Sequence, residues 1–216
     1  MRAGDGEDLL AGYVSGPAAA TEATALALAR ARAAGAVVLV EGVSDQIAVE
    51  ALARRLGRGL PGEGIVVLPV GGAHGVARYL RRFGPAGTGA RLAGLCDAGE
   101  ELGFRRDLER AGLGSGLDRP GLERRGFFVC TADLEDELIR AVGVDGVRMV
   151  IEAEGELSSL QRFQRQPAQR GRAPQAQLRR FLGTRSGRKA QYARLLAGAL
   201  TPAQVPDPLS RLLAHI

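Results

Sequence analysis

Glu41 ends the run "VVLVE", and Asp45 follows it by four positions. Asp97 ends "RLAGLCD", with Glu100 just beyond, and Asp133, Glu135 and Asp136 follow "FFVCT". Each group of acids comes directly after an apolar stretch. Like charges brought together repel and lose hydration. Such a cluster is tolerated where a cation sits among the carboxylates, and hard oxygen donors suit Mg²⁺ or Mn²⁺. Ions held this way can activate water and steady the leaving oxygen of a phosphodiester. Plainer readings exist for most of these acids. Asp45 and Asp97 could cap helices or turns, and Glu135 and Asp136 could favour the dipole of a helix start. Glu41 has the poorest structural reason to be where it is, because acids are poor strand residues.

The chemistry requires that acids far apart in the chain meet, so the elements between them matter. "PAAATEATALALARARAAG" over 17–35 reads as a helix that begins at a proline and stops at a glycine. Residues 36–41 read as a strand buried on both faces, since the apolar run is continuous. Further strands are expected at 64–70, 91–97 and 127–131. Helices are expected between them at 45–56, 75–83, 101–111 and 119–125, and after them at 134–143. Beyond 144 the pattern is helical, broken near Pro167, Pro174 and Pro202. Strands alternating with helices imply a parallel sheet with right-handed crossovers. The expected fold class is therefore α/β: a parallel four-stranded sheet flanked by helices, with a C-terminal helical annex. The divisions are 1–34 (tail and helix), 35–143 (sheet domain) and 144–216 (helical region contributing Lys189). In an open sheet of this kind ligands bind at the carboxyl ends of the strands, where the acids fall. Strand two ends there in Gly71 and Gly72, which allow close approach to a phosphate.

The chain has 216 residues, a formal net charge of +5 and a pI of about 10.0. Of its 29 basic residues only Lys189 is a lysine. A basic surface favours a polyanion. Arg179, Arg180, Arg185 and Arg188 flank Lys189 and are candidate clamps on backbone phosphates, Arg185 and Arg188 foremost. No run approaches the roughly 20 apolar residues that span a bilayer, and the acidic N-terminus does not read as a signal peptide. A cytoplasmic protein with no membrane contact is expected. Cys96 and Cys130 lie in apolar runs and read as core filler. His74 reads as a loop histidine, because metal-bound water needs no imidazole to reach a useful pKa.

The motifs "LVEGVSD", "VLPVGG", "LAGLCDAGEE", "ADLEDEL" and "GRKAQYARLLA" resemble a TOPRIM domain, the module of topoisomerases, bacterial primases and some nucleases. More narrowly, they resemble the nuclease domain of the OLD ("overcoming lysogenization defect") family over about residues 36 to 200. The resemblance implies a TOPRIM-type fold and a metal centre at Glu41, Asp45, Asp97 and Glu135, with Asp133 beside it. It also implies that Lys189 assists at the scissile phosphate, and that the activity is cutting or nicking of DNA with one or two divalent ions, Mg²⁺ or Mn²⁺. One position departs from the pattern. Gly99 stands where the family's D-x-D has its second acid, and Glu100 is the nearest substitute. The string "GTRSGRKA" lacks the glycine spacing and the following Ser or Thr of a P-loop, so ATP hydrolysis by this chain is not expected. The resemblance leaves room for an ATPase partner in trans and for a homodimer. Two alternatives stand beside an endonuclease: an inactive TOPRIM module that binds nucleic acid or an ATPase, and a nucleotidyl transferase.

Overall fold

The computed structural model describes residues 19–71, 75–185 and 187–216, with side chains from 21 onward. Four parallel strands form one sheet: β1 (Ala36–Val40), β2 (Ile65–Pro69), β3 (Arg91–Cys96) and β4 (Phe127–Val129), in the order β2-β1-β3-β4. The registers Val38↔Val67 and Val38↔Ala93 make β1 the inner strand between β2 and β3.

Alternation along β1 explains why its sequence is apolar throughout. Val38 and Val40 enter one core, and Val37 and Leu39 enter the other. A strand covered on both sides has no polar face to show. The helices divide accordingly. Helices α1 (Ala19–Ala31), α3 (Val76–Phe83), α4 (Glu101–Arg110) and α5 (Arg119–Arg124) contribute Ala27, Leu80, Leu108 and Leu122 to the second core. The first core takes α2 (Val43–Arg55) and everything after β4: α6 (Leu134–Val142), α7 (Val144–Ala153), α8 (Leu157–Gln164), α9 (Pro174–Leu182), α10 (Arg188–Ala199) and α11 (Asp207–His215). Tyr192 of α10 is fully buried there with Leu52 of α2, so the C-terminal helices share a core with the sheet.

The strand order decides where a ligand would bind. From β1 the chain moves outward to β2, and from β3 it moves the other way, to β4. Right-handed crossovers then place α2 and α4 on opposite faces, as the two cores show. The crevice at such a reversal lies between the carboxyl ends of β1 and β3. At Gly94, in the middle of β3, an added Cβ would lie 2.8 Å from the Phe127 ring and 2.9 Å from the Leu39 carbonyl oxygen, so only glycine fits between β1 and β4 there.

Three element boundaries differ from the sequence expectation. Helix α2 begins at Val43 because Gly42, in extended backbone, takes the N-cap position expected of Asp45. Strand β4 stops at Val129, although the Cys130 amide still donates to the Cys96 carbonyl at 2.9 Å. In the helical region glycines in left-handed backbone add breaks to those at proline: Gly143, Gly155 and Gly187 have φ of 78°, 71° and 78°. The expected tail 1–16 lies outside the described residues.

Candidate metal centre and its basic flank

Glu41 and Asp97 are the first residues beyond β1 and β3. Both ends are pinned by backbone bonds. The Gly71 amide donates to the Glu41 carbonyl at 3.0 Å, and the Ala98 amide to the Ala132 carbonyl at 3.1 Å. Across the reversal point the Glu41 carboxyl lies beside that of Asp97. Burial, then the charges of Glu41, Asp45 and Asp133, push Asp97 up to about 8. Two carboxylates this close oppose each other's charge, which helps to hold Asp97 above the usual carboxylate range.

Asp45 occupies the first turn of α2. Its Oδ2 accepts the Gly42 amide at 2.8 Å, so one oxygen is committed to the helix start. Burial nevertheless raises Asp45 to about 7; the Gly42 bond opposes this, Glu135 and Glu41 add to it, and Lys189 opposes it. Those neighbours place α2, α6 and α10 around one spot.

Helix α6 sorts its acids. Asp133 is the N-cap, with Oδ1 accepting the Asp136 amide at 2.8 Å and Oδ2 accepting from Arg179. Asp136 turns to Arg140 and Gln175, at 2.8 and 3.0 Å. Glu135 is buried and meets Lys189 Nζ at 2.8 Å. Burial alone would lower Lys189, but the bond to Glu135, with the charges of Glu135, Asp45 and Asp133, holds its pKa above the usual lysine range. Lys189 is therefore a fixed cation beside the acids.

Several expected site residues fall elsewhere. Gly71 has a positive φ of 76°, but its amide is spent on Glu41 and cannot serve a phosphate. Gly72 and His74 lie outside the described residues. Glu100 sits on the 3-10 turn Ala98–Glu100, and is not among the acids that chiefly raise Asp97 or Asp45. Arg188 is a core residue, 5% exposed. Its Nη2 and Nε bind Glu156 at 2.8 and 3.1 Å, its Nη1 reaches Thr184 Oγ1, and its guanidinium lies 4.2 Å from the Phe181 ring centre. Buried and committed to Glu156, Thr184 and the Phe181 carbonyl, it is not presented to a phosphate. Arg185 is exposed but reaches the same Glu156 carboxylate at 3.2 Å. The expected clamp at Arg185 and Arg188 is thus a tie from α10 to α8.

The cations that do flank the acids come from α9, the loop before it and the start of α10. Arg172, Arg179, Arg180 and Lys189 line a cavity of about 440 Å³ together with Asp133, Glu135 and Ala176. Arg172 was missed in the sequence because it stands in a loop before Pro174 and reaches the site only through the tertiary fold. Spacing gives no signal either, because the extended Ala173 separates Arg172 from the helix that carries Ala176 and Arg180.

The donors Glu41, Asp45, Asp97, Asp133 and Glu135 offer only hard oxygens, which fits Mg²⁺ or Mn²⁺. The raised pKa of Asp97 fits too, since a divalent ion would replace its proton. Among the described residues, no three acid, His or Cys side chains converge closely enough as placed to hold an ion. Both cysteines are buried, and burial pushes the Cys96 thiol up to about 12 and Cys130 up as well, so neither is a reactive thiolate.

Residues 34–97, from the residues before β1 to Asp97, match the family described as overcoming lysogenization defect protein-like, TOPRIM domain. TOPRIM domains generally bind divalent metal ions. No curated protein matches the sequence. Among solved structures, the C-terminal region of the Xanthomonas campestris pv. campestris OLD protein is similar with TM-score 0.68 and 27% identity, covering 85% of this chain and 92% of that one. The C-terminal region of the Burkholderia pseudomallei OLD protein is similar with TM-score 0.65 and 26% identity, covering 84% and 96%. Residues 34–97 are thus an OLD-like TOPRIM domain, in a chain that resembles the C-terminal region of OLD proteins over most of its length.

Proposed function

We propose that the chain is a divalent-metal-dependent phosphodiester hydrolase that cuts or nicks DNA. The observation that carries this is the carboxyl pair Glu41–Asp97 at the reversal point of the sheet, with Asp45 close by and Lys189 held as a cation next to it. Glu41, Asp45 and Asp97 would hold Mg²⁺ or Mn²⁺, with Glu135 and Asp133 beside them. A bound ion supplies a more acidic water and neutralises charge on a phosphate. Lys189 leans on Glu135 and, half-exposed, is available to a phosphate oxygen as negative charge grows there. An ATPase supplied in trans fits the likeness to OLD proteins.

The test is nicking of supercoiled plasmid with Mn²⁺ or Mg²⁺. Chelator and Glu41→Ala should each abolish it; an active Glu41→Ala protein refutes the assignment. One observation favours a second reading. Gly99 leaves open space where the D-x-D pattern has an acid, and the acids do not converge as placed. The chain would then be a metal-stabilised binding module, for nucleic acid or an ATPase. Calorimetry showing metal uptake, with no plasmid cut after long incubation, would favour that reading.

A further inference from the structure

Arg180 lies one helical turn after Ala176 on α9, Arg172 in the loop before α9 lines the same recess, and Leu178, Phe181 and Leu182 on the other side of α9 are buried. The cavity they line has four cations against two acids. The acids are already answered, Asp133 by Arg179 and Glu135 by Lys189. Arg180 is exposed and makes no ion pair or hydrogen bond among the described residues. Among the described residues Arg172 donates only Nε, to the Ala168 carbonyl at 2.8 Å, which leaves its two terminal nitrogens uncommitted. Two guanidinium forks are therefore left over in one recess, with a small alanine as its floor. The recess opens beside Glu135 and Lys189, on the flank of the acid centre.

An acidic side chain would need one fork. A recess with two unanswered forks and no aromatic lining suits a phosphodiester, whose two free oxygens accept bidentate guanidinium bonds. We infer that Arg172 and Arg180 clamp a backbone phosphate of a polynucleotide, next to the phosphate held at the acid centre, so that the strand runs along α9 rather than past the start of α10. The inference rests on the function proposed above and names its substrate contact. Contacts of this sort position a strand without reading its bases.

Binding, not cleavage, tests it. A labelled short DNA duplex and the matching single strand would be titrated by fluorescence anisotropy in chelator, from about 50 to 200 mM salt. The comparison is R172Q/R180Q against R54Q/R55Q, which removes the same charge at the far end of α2. Two lost phosphate contacts should flatten the slope of log affinity against log salt by about 2. The α2 variant should keep the wild-type slope. R180Q alone, whose side chain holds nothing in place, should flatten it by about 1. Equal slopes for R172Q/R180Q and R54Q/R55Q would overturn the clamp while leaving the hydrolase reading standing. Release of the duplex by inorganic phosphate at constant ionic strength would also overturn it, assigning the recess to free phosphate. A wild-type protein that neither binds nor nicks DNA would remove both.

Discussion

Two clusters of charge, both reached from the start of α10, have opposite internal economies. Around Glu156 everything is answered. Arg188, Arg185 and the Tyr192 hydroxyl all bind its carboxylate, Tyr192 at 2.9 Å, and the Arg188 bond foremost pulls Glu156 below the usual glutamate range. Around Asp97 the acids are set against each other, and both Asp97 and Asp45 are driven up. The first arrangement stabilises the fold by itself. The second lowers stability and is relieved only by protons, by Lys189, or by an added cation. Strain of this kind, at a topological reversal point, marks a functional site. A buried, satisfied ion pair does not.

The sharpest break of this contrast is Glu41→Ala. Removal of a central oxygen donor should lower plasmid nicking by at least about 100-fold. The melting temperature in chelator should stay equal or rise, because one member of the like-charged pair is gone. A clear loss of stability would show that Glu41 holds the fold together and would erase the difference between the two clusters.

The reciprocal change is Arg188→Met. It strips the buried cation from Glu156, its best partner, and should cost about 3 kcal/mol of stability in urea unfolding. Glu156→Gln should cost less, since the remaining amide can still accept from Arg188 and Tyr192. Because α10 begins at Arg188 and carries Lys189 one residue later, nicking should fall with Arg188→Met at temperatures where the protein is still folded. Full activity in a destabilised Arg188→Met protein would show that Lys189 does not depend on the tie to α8.

The sequence carried one of these clusters more clearly than the other. The sheet was legible because strands covered on both faces must be apolar throughout, and glycines marked where they stop. Glu41 and Asp97 were legible because an acid that directly follows a buried strand has few structural uses. Lys189 stood out as the lone lysine. The fate of Arg188 was not legible. Neighbouring residues on a helix point about 100° apart, so "RK" sends one side chain into the core and the other to the acids, and composition does not say which. Asp45 was read as a helix cap or a metal ligand; it bonds the helix start through one oxygen and also lies among the acids. Arg172 was invisible for a different reason: its neighbours at the site come from α6 and α10, far away in the chain.

A smaller effect should appear with pH. Asp97 is raised from 3.8 to about 8 and Asp45 from 3.8 to about 7. The folded protein therefore holds protons that the unfolded chain releases between those values. Stability from this source is fully present below about pH 4 and is lost as pH climbs through 7 and 8. In chelator the melting temperature should fall from pH 6 to pH 8.5, and Asp97→Asn should flatten that fall. Glu156, displaced downward, contributes in the opposite sense: its stability is present above the ordinary glutamate pKa and disappears only at acid pH. Mg²⁺ or Mn²⁺ should remove the alkaline fall. A flat profile without metal would mean that Asp97 and Asp45 are not held protonated by the fold.

The subtlest test works on the acid cluster by addition. Gly99 is exposed, has an ordinary φ, and an added Cβ would meet nothing within 4 Å. Gly99→Asp should therefore fold normally, and backbone strain cannot explain whatever it changes. If the centre takes metal with too few oxygens, a further carboxylate two residues after Asp97 should tighten Mn²⁺ binding by a few-fold in calorimetry and raise nicking at limiting metal. In the protein without metal the same change should steepen the alkaline loss of stability, since it adds one more like charge to a cluster that already has too many. The two outcomes have opposite signs in the presence and absence of the ion, which no role in packing would produce. A Gly99→Asp protein unchanged in both would place residue 99 outside the centre and leave Glu41, Asp45 and Asp97 as its whole working set.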